Sequence, residues 1–257
     1  MIADALRRAG HDWIVPDWPV PARVAAVVTT RNGGVSAGRY ASLNLGAASA
    51  TRAGGDAPDA VAQNRARLRT LLPAEPAWLA QVHGTAVHDA DAPAPYSPPI
   101  ADAAVTRTPG VVLAVQSADC LPVLLADREG AAIAIAHAGW RGLAAGVVDN
   151  AVRALAIAPG RVVAWLGPAI GPDAFEVGAD VRDAFVAADA SADTAFRPKS
   201  HGKWLADLAA LARQRLAHCG VHDVHGGGVC TWSTPARFFS YRRDGETGRM
   251  AALLWLE

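Results

Sequence analysis

The sequence predicts a fold that contains both β-strands and α-helices, and two observations support this prediction. The first is the segment 111–143, which holds three apolar runs of strand length at 111–115, 121–125 and 132–136. The link 127–130 between the last two runs has three charged residues and ends in glycine, which is typical of a hairpin turn. The second observation is a set of longer segments in which apolar residues recur at the spacing of a helix.

The remaining segments complete this mixture of elements within one predicted domain that spans residues 1–257. Residues 1–22 are expected to be an irregular lead-in. Further strands are predicted at 23–30, 77–82 and 162–166, helices at 57–72, 143–156, 179–188 and 204–217, and two closing strands around Asp244-Gly245. Asp59 is expected to cap the helix at 57–72, and the proline-rich residues 91–99 are the candidate for a lid.

The strand at 132–136 has two chemically different faces. Alanine and isoleucine alternate along it, so Ile133, Ile135 and His137 lie on one face and the alanines lie on the other. The alanine face can accept a closely packed helix. His137 lies where this strand ends, and Cys120 lies in the short link between the two preceding strands. A thiol and an imidazole are thus predicted at strand ends, where functional sites are usually built.

Composition and charge exclude several classes of protein. The 257 residues carry 24 Lys and Arg against 24 Asp and Glu, so the basic excess that nucleic-acid binding requires is absent. No apolar run is long enough to span a bilayer, and residues 1–19 lack the apolar region of a signal peptide. The three cysteines show no paired spacing, which predicts free thiols in a cytoplasmic protein.

Three residues stand out as candidate metal ligands: His83, Cys120 and His137. They are far apart in sequence, but each follows a predicted strand and is flanked by glycine or other small residues. Imidazole and thiolate are ligands that zinc prefers, and three protein ligands leave a fourth position open for catalysis. Zinc would hold Cys120 as a thiolate and would lower the pKa of a bound water toward ~7. The alternative is that the thiol is a small buried apolar group and both histidines are hydrogen-bonded structural residues.

Two further interpretations remain open. Cys120 is a candidate nucleophile, with His137 as its base and Asp119 as an orienting group. A separate cluster consists of His218, Cys219, His222, His225 and Cys230. Its first two histidines are four residues apart, but Gly220 between them is expected to end the helix. For this cluster, polar residues around a helix end are the favoured interpretation.

Several polar residues lie in or near loops that adjoin predicted strands. They are Arg31, Asn44, Arg141, Glu176, Tyr241 and Arg242. Arginine recognises phosphate through two parallel hydrogen bonds, and Arg141 also lies at the start of a helix, where backbone N–H groups favour an anion. Taken alone, each arginine is better explained as a surface charge. Together, these residues are the candidate contacts to a ligand.

A series of motifs runs in one order along nearly the whole chain. The motifs are Thr30-Arg31-x-Gly33-Gly34-Val35-Ser36, Ser42-Leu43-Asn44-Leu45-Gly46, Gln81-Val82-His83-Gly84, Ala118-Asp119-Cys120-Leu121-Pro122, His137-Ala138-Gly139-Trp140-Arg141-Gly142, Gly167-Pro168-x-Ile170 and Ser240-Tyr241-Arg242-Arg243-Asp244. In this order they resemble the YfiH family, the bacterial relatives of a human laccase-domain protein. One motif departs from the family, because Ala174 and Phe175 stand where the family often has Cys-Tyr before the glutamate.

The resemblance implies an α+β fold, a layered α/β/β/α sandwich with mixed sheets that is similar to the catalytic domain of the cytotoxic necrotising factor deamidases. It also places the metal site on His83, Cys120 and His137. The implied function is a zinc-dependent purine nucleoside phosphorylase for adenosine, inosine and methylthioadenosine, with adenosine deaminase activity. Copper is the alternative metal. The alternative functions are a copper-dependent polyphenol oxidase and a Cys/His amidase that edits peptidoglycan precursors.

The resemblance also implies roles for the remaining candidate residues. Asp119 or Glu176 is the expected proton shuttle beside the three metal ligands. The expected substrate-binding residues are Arg31, Asn44, Gln81, Arg141, Tyr241 and Arg242. Among these, Arg31 and Arg141 are expected to hold phosphate. The expected partners are small-molecule purine nucleosides and phosphate, and the expected state is a monomer or a weak homodimer.

Overall fold

A computed structural model of the chain describes residues 2–46, 55–93 and 96–257. The strands, in chain order, are β1 (Val24–Val28), β2 (Val87–Asp89), β3 (Ala103–Thr106), β4 (Val112–Ser117), β5 (Leu121–Asp127), β6 (Ile133–Ala138), β7 (Val162–Leu166), β8 (Glu176–Val177), β9 (Phe196–Pro198), β10 (Trp204–Ala206), β11 (Asp223–Gly226) and β12 (Met250–Leu256). The α-helices are α1 (Ile2–Ala9), α2 (Pro58–Arg69), α3 (Trp140–Ala145), α4 (Val147–Ala154), α5 (Ala179–Val186), α6 (Leu208–His218) and α7 (Tyr241–Asp244). The mixture confirms the predicted α+β class.

The strands form three sheets. The largest has six strands in the order β11-β7-β5-β6-β3-β2, with parallel pairs at both edges and antiparallel pairs between them. The second sheet is antiparallel and has the order β1-β12-β4. A small sheet, β8-β10-β9, lies apart from both. The predicted hairpin is confirmed, because β5 and β6 pair antiparallel on either side of the turn at 127–130.

The two larger sheets pack face to face, and helices cover their outer faces. Apolar residues of both sheets fill the space between them, among them Leu113, Leu124 and Ile135. Helices α1 and α2 cover the β1-β12-β4 sheet, whereas α4 and α6 cover the six-stranded sheet. Burial of one large aliphatic side chain contributes about 1.5–3 kcal/mol, so three such interfaces supply the main stabilisation. The result is the expected α/β/β/α layering with mixed sheets.

The two faces of β6 pack as the alternation of alanine and isoleucine predicts. Ile133 and Ile135 pack between the two sheets, and Ala134 and Ala136 pack on the opposite side with residues of α4, including Val148. The small side chains let this helix approach the sheet closely. Strand β6 is therefore buried on both faces, and His137, near its end, is also buried.

Several predicted elements were wrong near the chain ends. The lead-in 1–22 contains α1, in which Arg7 pairs with Asp4. The closing hairpin around Asp244-Gly245 does not form. Ser240 instead caps the short helix α7 by accepting from the backbone N–H of Arg243, and β12 alone follows. A side-chain cap competes well with a turn over so short a span.

Other boundaries also differ from the prediction. Residues 77–82 make only single β-bridges at Ala77 and Ala80 rather than a strand. The helix predicted at 143–156 begins earlier, at Trp140, and breaks at Gly146, which adopts a φ of 100°. In the segment predicted as one helix at 204–217, β10 comes first, and Asp207 then caps α6.

The helix α2 starts after Ala57 with no side-chain cap, so the predicted capping role of Asp59 is wrong. Residues 94 and 95 of the predicted lid at 91–99 lie outside the described residues. All three cysteines have free thiols. Within the described part of the chain, no helix is both long enough and apolar enough to cross a membrane.

Candidate metal centre and active site

The fold brings His83, Cys120 and His137 together. One ligand atom from each lies within 4.8 Å of the others, and among the described residues this is the group of His, Cys and acidic residues that can hold a metal ion. Cys120 Sγ lies 3.7 Å from His83 Nε2, and the two imidazole rings meet edge to face with centroids 4.9 Å apart. Two imidazoles and a thiol form a donor set that suits zinc.

The hairpin explains how two distant residues of this cluster become neighbours. In the β5–β6 pair, Pro122 lies opposite His137, so Cys120, two residues before Pro122, comes to lie beside the histidine. His83 reaches the same point from the loop that follows Ala80, with a backbone φ of 61°. Non-glycine residues rarely adopt this left-handed region, so another group must hold the loop in place.

That group is Asp102, which sequence reasoning missed. Its buried carboxylate accepts the backbone N–H groups of Val82, His83 and Gly84 at 3.0, 2.9 and 2.7 Å. It also lies 2.8 Å from Nδ1 of His137. The second nitrogen of that imidazole, Nε2, is thereby left for a metal. Burial opposes the charge, but the hydrogen bonds from His137 and from these backbone groups lower the pKa of Asp102.

Two glycines of the motif that follows His137 allow the close approach of α3. A Cβ on Gly139 would lie 2.7 Å from His83 Cδ2 and 3.0 Å from Cys120 Sγ. A Cβ on Gly142 would lie 2.8 Å from the carbonyl oxygen of Gly84. Any larger residue would therefore push the ligand loop away from the helix, which gives the glycines of this motif a physical role.

Without a metal, Cys120 and His137 form a charged pair. Burial disfavours the thiolate, but the positive charge of His137 and hydrogen bonds from both histidines outweigh it and lower the pKa of Cys120 to about 6. Burial likewise disfavours the imidazolium, but the thiolate and Asp102 raise the pKa of His137 to about 9. A site that already stabilises a thiolate fits a cation, and a metal ion would replace the proton on the imidazole.

This pair predicts the pH dependence of thiol alkylation in metal-free protein. Because the thiolate is the reactive form, the alkylation rate of Cys120 should rise with a midpoint near pH 6 rather than near ~8.5, the value of a free cysteine. Cys219 is the internal control, because burial and Asp149 raise the pKa of its thiol. Peptide mass spectrometry of iodoacetamide-treated protein resolves the two. A midpoint above pH 8 for Cys120 would contradict this electrostatic account.

The cluster opens into a cavity of about 630 Å³, within the size range of small-molecule sites. The lining residues are Leu79, Gln81, His83, Gln116, Ser117, Ala118, Asp119, Cys120, His137, Trp140, Arg141, Ile170, Phe175, Leu208, Tyr241, Arg242 and Arg249. Apolar and aromatic side chains thus surround a few polar groups. This combination is typical of a site for a flat, polar small molecule.

Five of the eight residues predicted around the metal ligands line this cavity. They are Gln81, Asp119, Arg141, Tyr241 and Arg242. Gln81 is held by two hydrogen bonds with the backbone of Gln116, at 2.9 and 2.7 Å. The guanidinium group of Arg141 lies over the ring of Trp140. Arg242 lies over the ring of Phe175. Aromatic stacking thus fixes two arginines at the cavity wall.

The other three predicted residues, Arg31, Asn44 and Glu176, do not line the cavity. Arg31 donates to the carbonyl oxygens of Ala41 and Pro235 at 2.8 and 3.1 Å. Glu176 forms an ion pair with Lys199 at 2.6 Å, which lowers the pKa of its carboxyl. The third residue, Asn44, is buried and holds backbone groups near Arg249.

Asp119 lies at the cavity wall, but its oxygens are already engaged. They accept from Thr231 Oγ1 at 2.6 Å, from Ser240 Oγ at 3.0 Å and from the backbone N–H of Arg242 at 2.7 Å. Its backbone also has a positive φ, 92°. These bonds join the link before β5 to the segment that carries Arg242. The geometry therefore favours a positioning role for this carboxylate.

Sequence reasoning missed several lining residues, of which Arg249 is the only charged one. It precedes β12 in a segment for which the sequence predicts a hairpin, so nothing in the local pattern placed it near Cys120.

The second predicted cluster, around His218, Cys219, His222, His225 and Cys230, does not assemble among the described residues. His218 lies 3.4 Å from Asp189, and His225 pairs with Asp223 at 2.6 Å.

Comparisons with known proteins find similar sequences over nearly the whole chain. The sequence model of a family described as multi-copper polyphenol oxidoreductase laccase matches residues 25–257. A purine nucleoside phosphorylase from Pseudomonas aeruginosa is 54% identical over 246 residues, which cover 95% of this chain and 98% of that protein. The purine nucleoside phosphorylase YfiH from Escherichia coli is also 54% identical over 246 residues, with the same coverage.

Solved structures show the same fold. A Neisseria meningitidis protein superposes with a TM-score of 0.90 at 52% identity, over 96% of this chain and 99% of that one. The YfiH protein of Bacillus licheniformis superposes with a TM-score of 0.83 at 30% identity, over 91% and 93% of the two chains. Sequence, fold and the order of motifs agree, and the chain belongs to the YfiH family.

Proposed function

We propose that this protein is a metal-dependent purine nucleoside phosphorylase. One observation carries the proposal: the cluster of His83, Cys120 and His137 opens into a cavity that also holds three arginines, none of which forms an ion pair with a carboxylate of the described residues. The relatives named purine nucleoside phosphorylase, two of them 54% identical over nearly the whole chain, support the same activity.

The charge of the cavity points to an anionic substrate. Among the described residues, no carboxylate lies within 4.0 Å of the side-chain nitrogens of Arg141, Arg242 or Arg249. Asp119 is the carboxylate that lines the cavity, and its oxygens already accept three hydrogen bonds. Arginines that are not neutralised by the protein suit a bound phosphate.

The apolar part of the lining suits a purine base. The rings of Phe175, Tyr241 and Trp140, with Ile170 and Leu208, offer flat apolar surface to a heterocycle. Gln81 and Gln116 add polar surface at the same wall, where hydrogen bonds to the backbone hold both amides in place. Because Arg141 and Arg242 lie over the rings of Trp140 and Phe175, the positions for the base and for the phosphate adjoin within one cavity.

Phosphorolysis then follows from position. A phosphate oxygen forms a bond to C1′ of the ribose as the bond from C1′ to the base nitrogen breaks, and the base leaves with the electron pair and takes up a proton. The arginines hold the phosphate in line with C1′, and the apolar walls exclude the water that would compete with it. The products are the free base and ribose 1-phosphate.

Zinc is the proposed metal, with copper as the alternative, and the His/Cys/His donor set fits both. When bound, it would supply Lewis-acid chemistry next to the substrate. The chain's own contribution is to hold the three ligands: Asp102 fixes the loop of His83 and the ring of His137. Such outer contacts commonly set metal affinity.

Adenosine deamination is the proposed second activity, because a metal held by His83, Cys120 and His137 would supply the Lewis-acid chemistry that zinc deaminases use. Of the two predicted proton shuttles, Glu176 is paired with Lys199 and lies outside the lining. Asp119 lines the cavity, and its three accepted hydrogen bonds favour a positioning role for it in this activity.

Two rival functions make different predictions. A polyphenol oxidase of the multi-copper type needs several coppers for four-electron reduction of oxygen. The described residues bring together one group of candidate metal ligands. A Cys/His amidase would use the Cys120–His137 pair without metal, and the lowered pKa of that thiol is compatible with it. Thiol alkylation that abolishes turnover in metal-free protein would favour the amidase.

The test is to incubate purified protein of known zinc content with adenosine and with inosine, each with and without phosphate, and to separate the products by chromatography. We expect adenine and hypoxanthine only when phosphate is present, and inosine from adenosine in its absence. If no product forms with one zinc per chain, the proposed function is wrong and muropeptide substrates should be tested next.

A further inference from the structure

We infer that Arg249 is the inner anchor for the phosphate oxyanion in this cavity, in place of Arg31, which the sequence suggested. This inference rests on the proposed function, since it names the residue that holds that reaction's second substrate. Three observations carry it: the backbone cradle that holds this arginine, its unused donor atoms and its lack of an ion-paired carboxylate among the described residues.

The cradle comes from the motif Ser42-Leu43-Asn44-Leu45-Gly46. The side chain of Asn44 accepts the backbone N–H of Arg249 at 2.8 Å and that of Gly46 at 3.0 Å. The backbone N–H of Leu45 donates to the carbonyl oxygen of Arg249 at 3.1 Å. A Cβ on Gly46 would lie only 2.9 Å from Cγ of Arg249, so the glycine makes room for the arginine stem. The motif is thus shaped around one side chain.

The guanidinium group is fixed on one side only. Its Nη1 donates to the carbonyl oxygens of Thr247 and Gly248 at 2.8 and 3.0 Å. None of the described residues accepts a hydrogen bond from Nε or Nη2. Two adjacent N–H donors on a rigid planar group match two oxygens of a phosphate. Because the side chain lines the cavity, these donors are available to a ligand there.

Arg249 also differs from many of the described arginines in lacking an ion pair. The side chain is half-buried, and no carboxylate forms an ion pair with it among the described residues. Arg141 and Arg242, in contrast, are exposed at the rim. A partly desolvated cation without a counter-ion is costly, and an anionic ligand removes that cost. Arg249 and Cys120 line the same cavity, so an anion held by this arginine shares that cavity with the metal centre.

Arg31 differs in the groups that its guanidinium contacts and in its position relative to the cavity. Its Nε and Nη1 donate to carbonyl oxygens of Ala41 and Pro235, and its guanidinium lies over the ring of Phe239. It does not line the cavity. The sequence motif that contains Arg31 therefore builds the loop beneath the cradle, whereas Arg249, which no motif marked, faces the ligand.

The experiment compares Arg249→Lys and Arg249→Met with the wild-type metal-loaded protein. Steady-state kinetics with inosine should show a phosphate KM raised about 10-fold in the lysine variant and about 100-fold in the methionine variant, with a smaller change in the inosine KM. Arg65→Lys is the matched control. Arg65 is half-buried and donates to the carbonyl oxygen of Leu45 in the same cradle, but it does not line the cavity.

Phosphate binding is measured separately, as the rise in melting temperature when phosphate replaces chloride at constant ionic strength. We expect the rise in the wild type and in Arg65→Lys, and its loss in Arg249→Met. If the melting temperatures follow this pattern but the wild-type protein shows no phosphorolysis, Arg249 binds phosphate as inferred and the proposed function is wrong. If phosphorolysis occurs and Arg249→Met keeps the wild-type phosphate KM and melting shift, the anchor is wrong and the function stands.

Discussion

Replacing Cys120 with alanine should remove the metal and nearly all turnover. The thiolate is the one anionic donor among the three ligands, and two imidazoles alone hold zinc far more weakly. We expect zinc content to fall from one ion per chain to a small fraction after dialysis, and kcat/KM for phosphorolysis to fall by about 1000-fold or more. Metal analysis and kinetics on the same preparation provide the measurement.

Cys219→Ala is the matched control for this substitution. Both cysteines are free and half-buried, but Cys219 caps the end of α6 and lies outside the cavity. The control should keep its zinc and its wild-type turnover. If Cys120→Ala retains one zinc and full activity, the assignment of the metal centre is wrong. If it retains activity without zinc, the metal has no part in the reaction.

Replacing Asp102 with asparagine should weaken both the metal site and the fold. One amide oxygen cannot accept all the hydrogen bonds that the carboxylate accepts from Val82, His83, Gly84 and His137. Loss of such an outer contact costs about 10- to 100-fold in metal affinity. An unsatisfied buried group costs about 1–3 kcal/mol of the free energy of unfolding. Zinc titration with a competing chelator and denaturant unfolding measure the two effects.

Asp127→Asn separates these two effects. Asp127 is equally buried and accepts from Arg161 and from the backbone N–H of Ala131, but it lies at the far end of β5. The variant should lose stability in the same way and keep the wild-type zinc affinity. Equal loss of zinc affinity in both variants would mean that Asp102 acts only through general stability, and our account of its role would fail.

Much of the fold was predictable because its signals are local. The alternation along β6 correctly gave the face that packs against a helix, and the glycine-ended turn at 127–130 gave the hairpin. The same hairpin brings Cys120 beside His137, so a thiol and an imidazole could be placed at the strand ends from pattern alone. Period-two alternation and turn residues act over a few positions, which is the range that one sequence reveals.

The missed features depend on contacts between distant parts of the chain. Asp102 lies in an apolar segment and reaches its role only when the loop of His83 folds over it. Arg249 meets Asn44 across 205 residues of sequence. Trp204–Ala206 became a strand because Phe196–Pro198 pairs with it, which overrode the helical pattern of the leucines that follow. No local periodicity encodes such pairings.

The family description and the cluster differ in one respect that bears on function. A multi-copper oxidoreductase implies several metal sites, whereas the described residues bring together one group with two imidazoles and one thiol. A blue-copper centre would use a similar set with a weak axial ligand, but oxygen reduction needs further coppers. Among the described residues, the geometry therefore does not supply the several copper sites that the family description implies.

The most direct test of the central claim is a zinc titration of metal-free protein, with ribose 1-phosphate formation from inosine and phosphate measured at each occupancy. Our account predicts that turnover rises in proportion to bound zinc and reaches its plateau at one ion per chain, and that Cys120→Ala shows no such rise. Turnover that is independent of zinc occupancy, or ribose 1-phosphate that never forms at full occupancy, would contradict it.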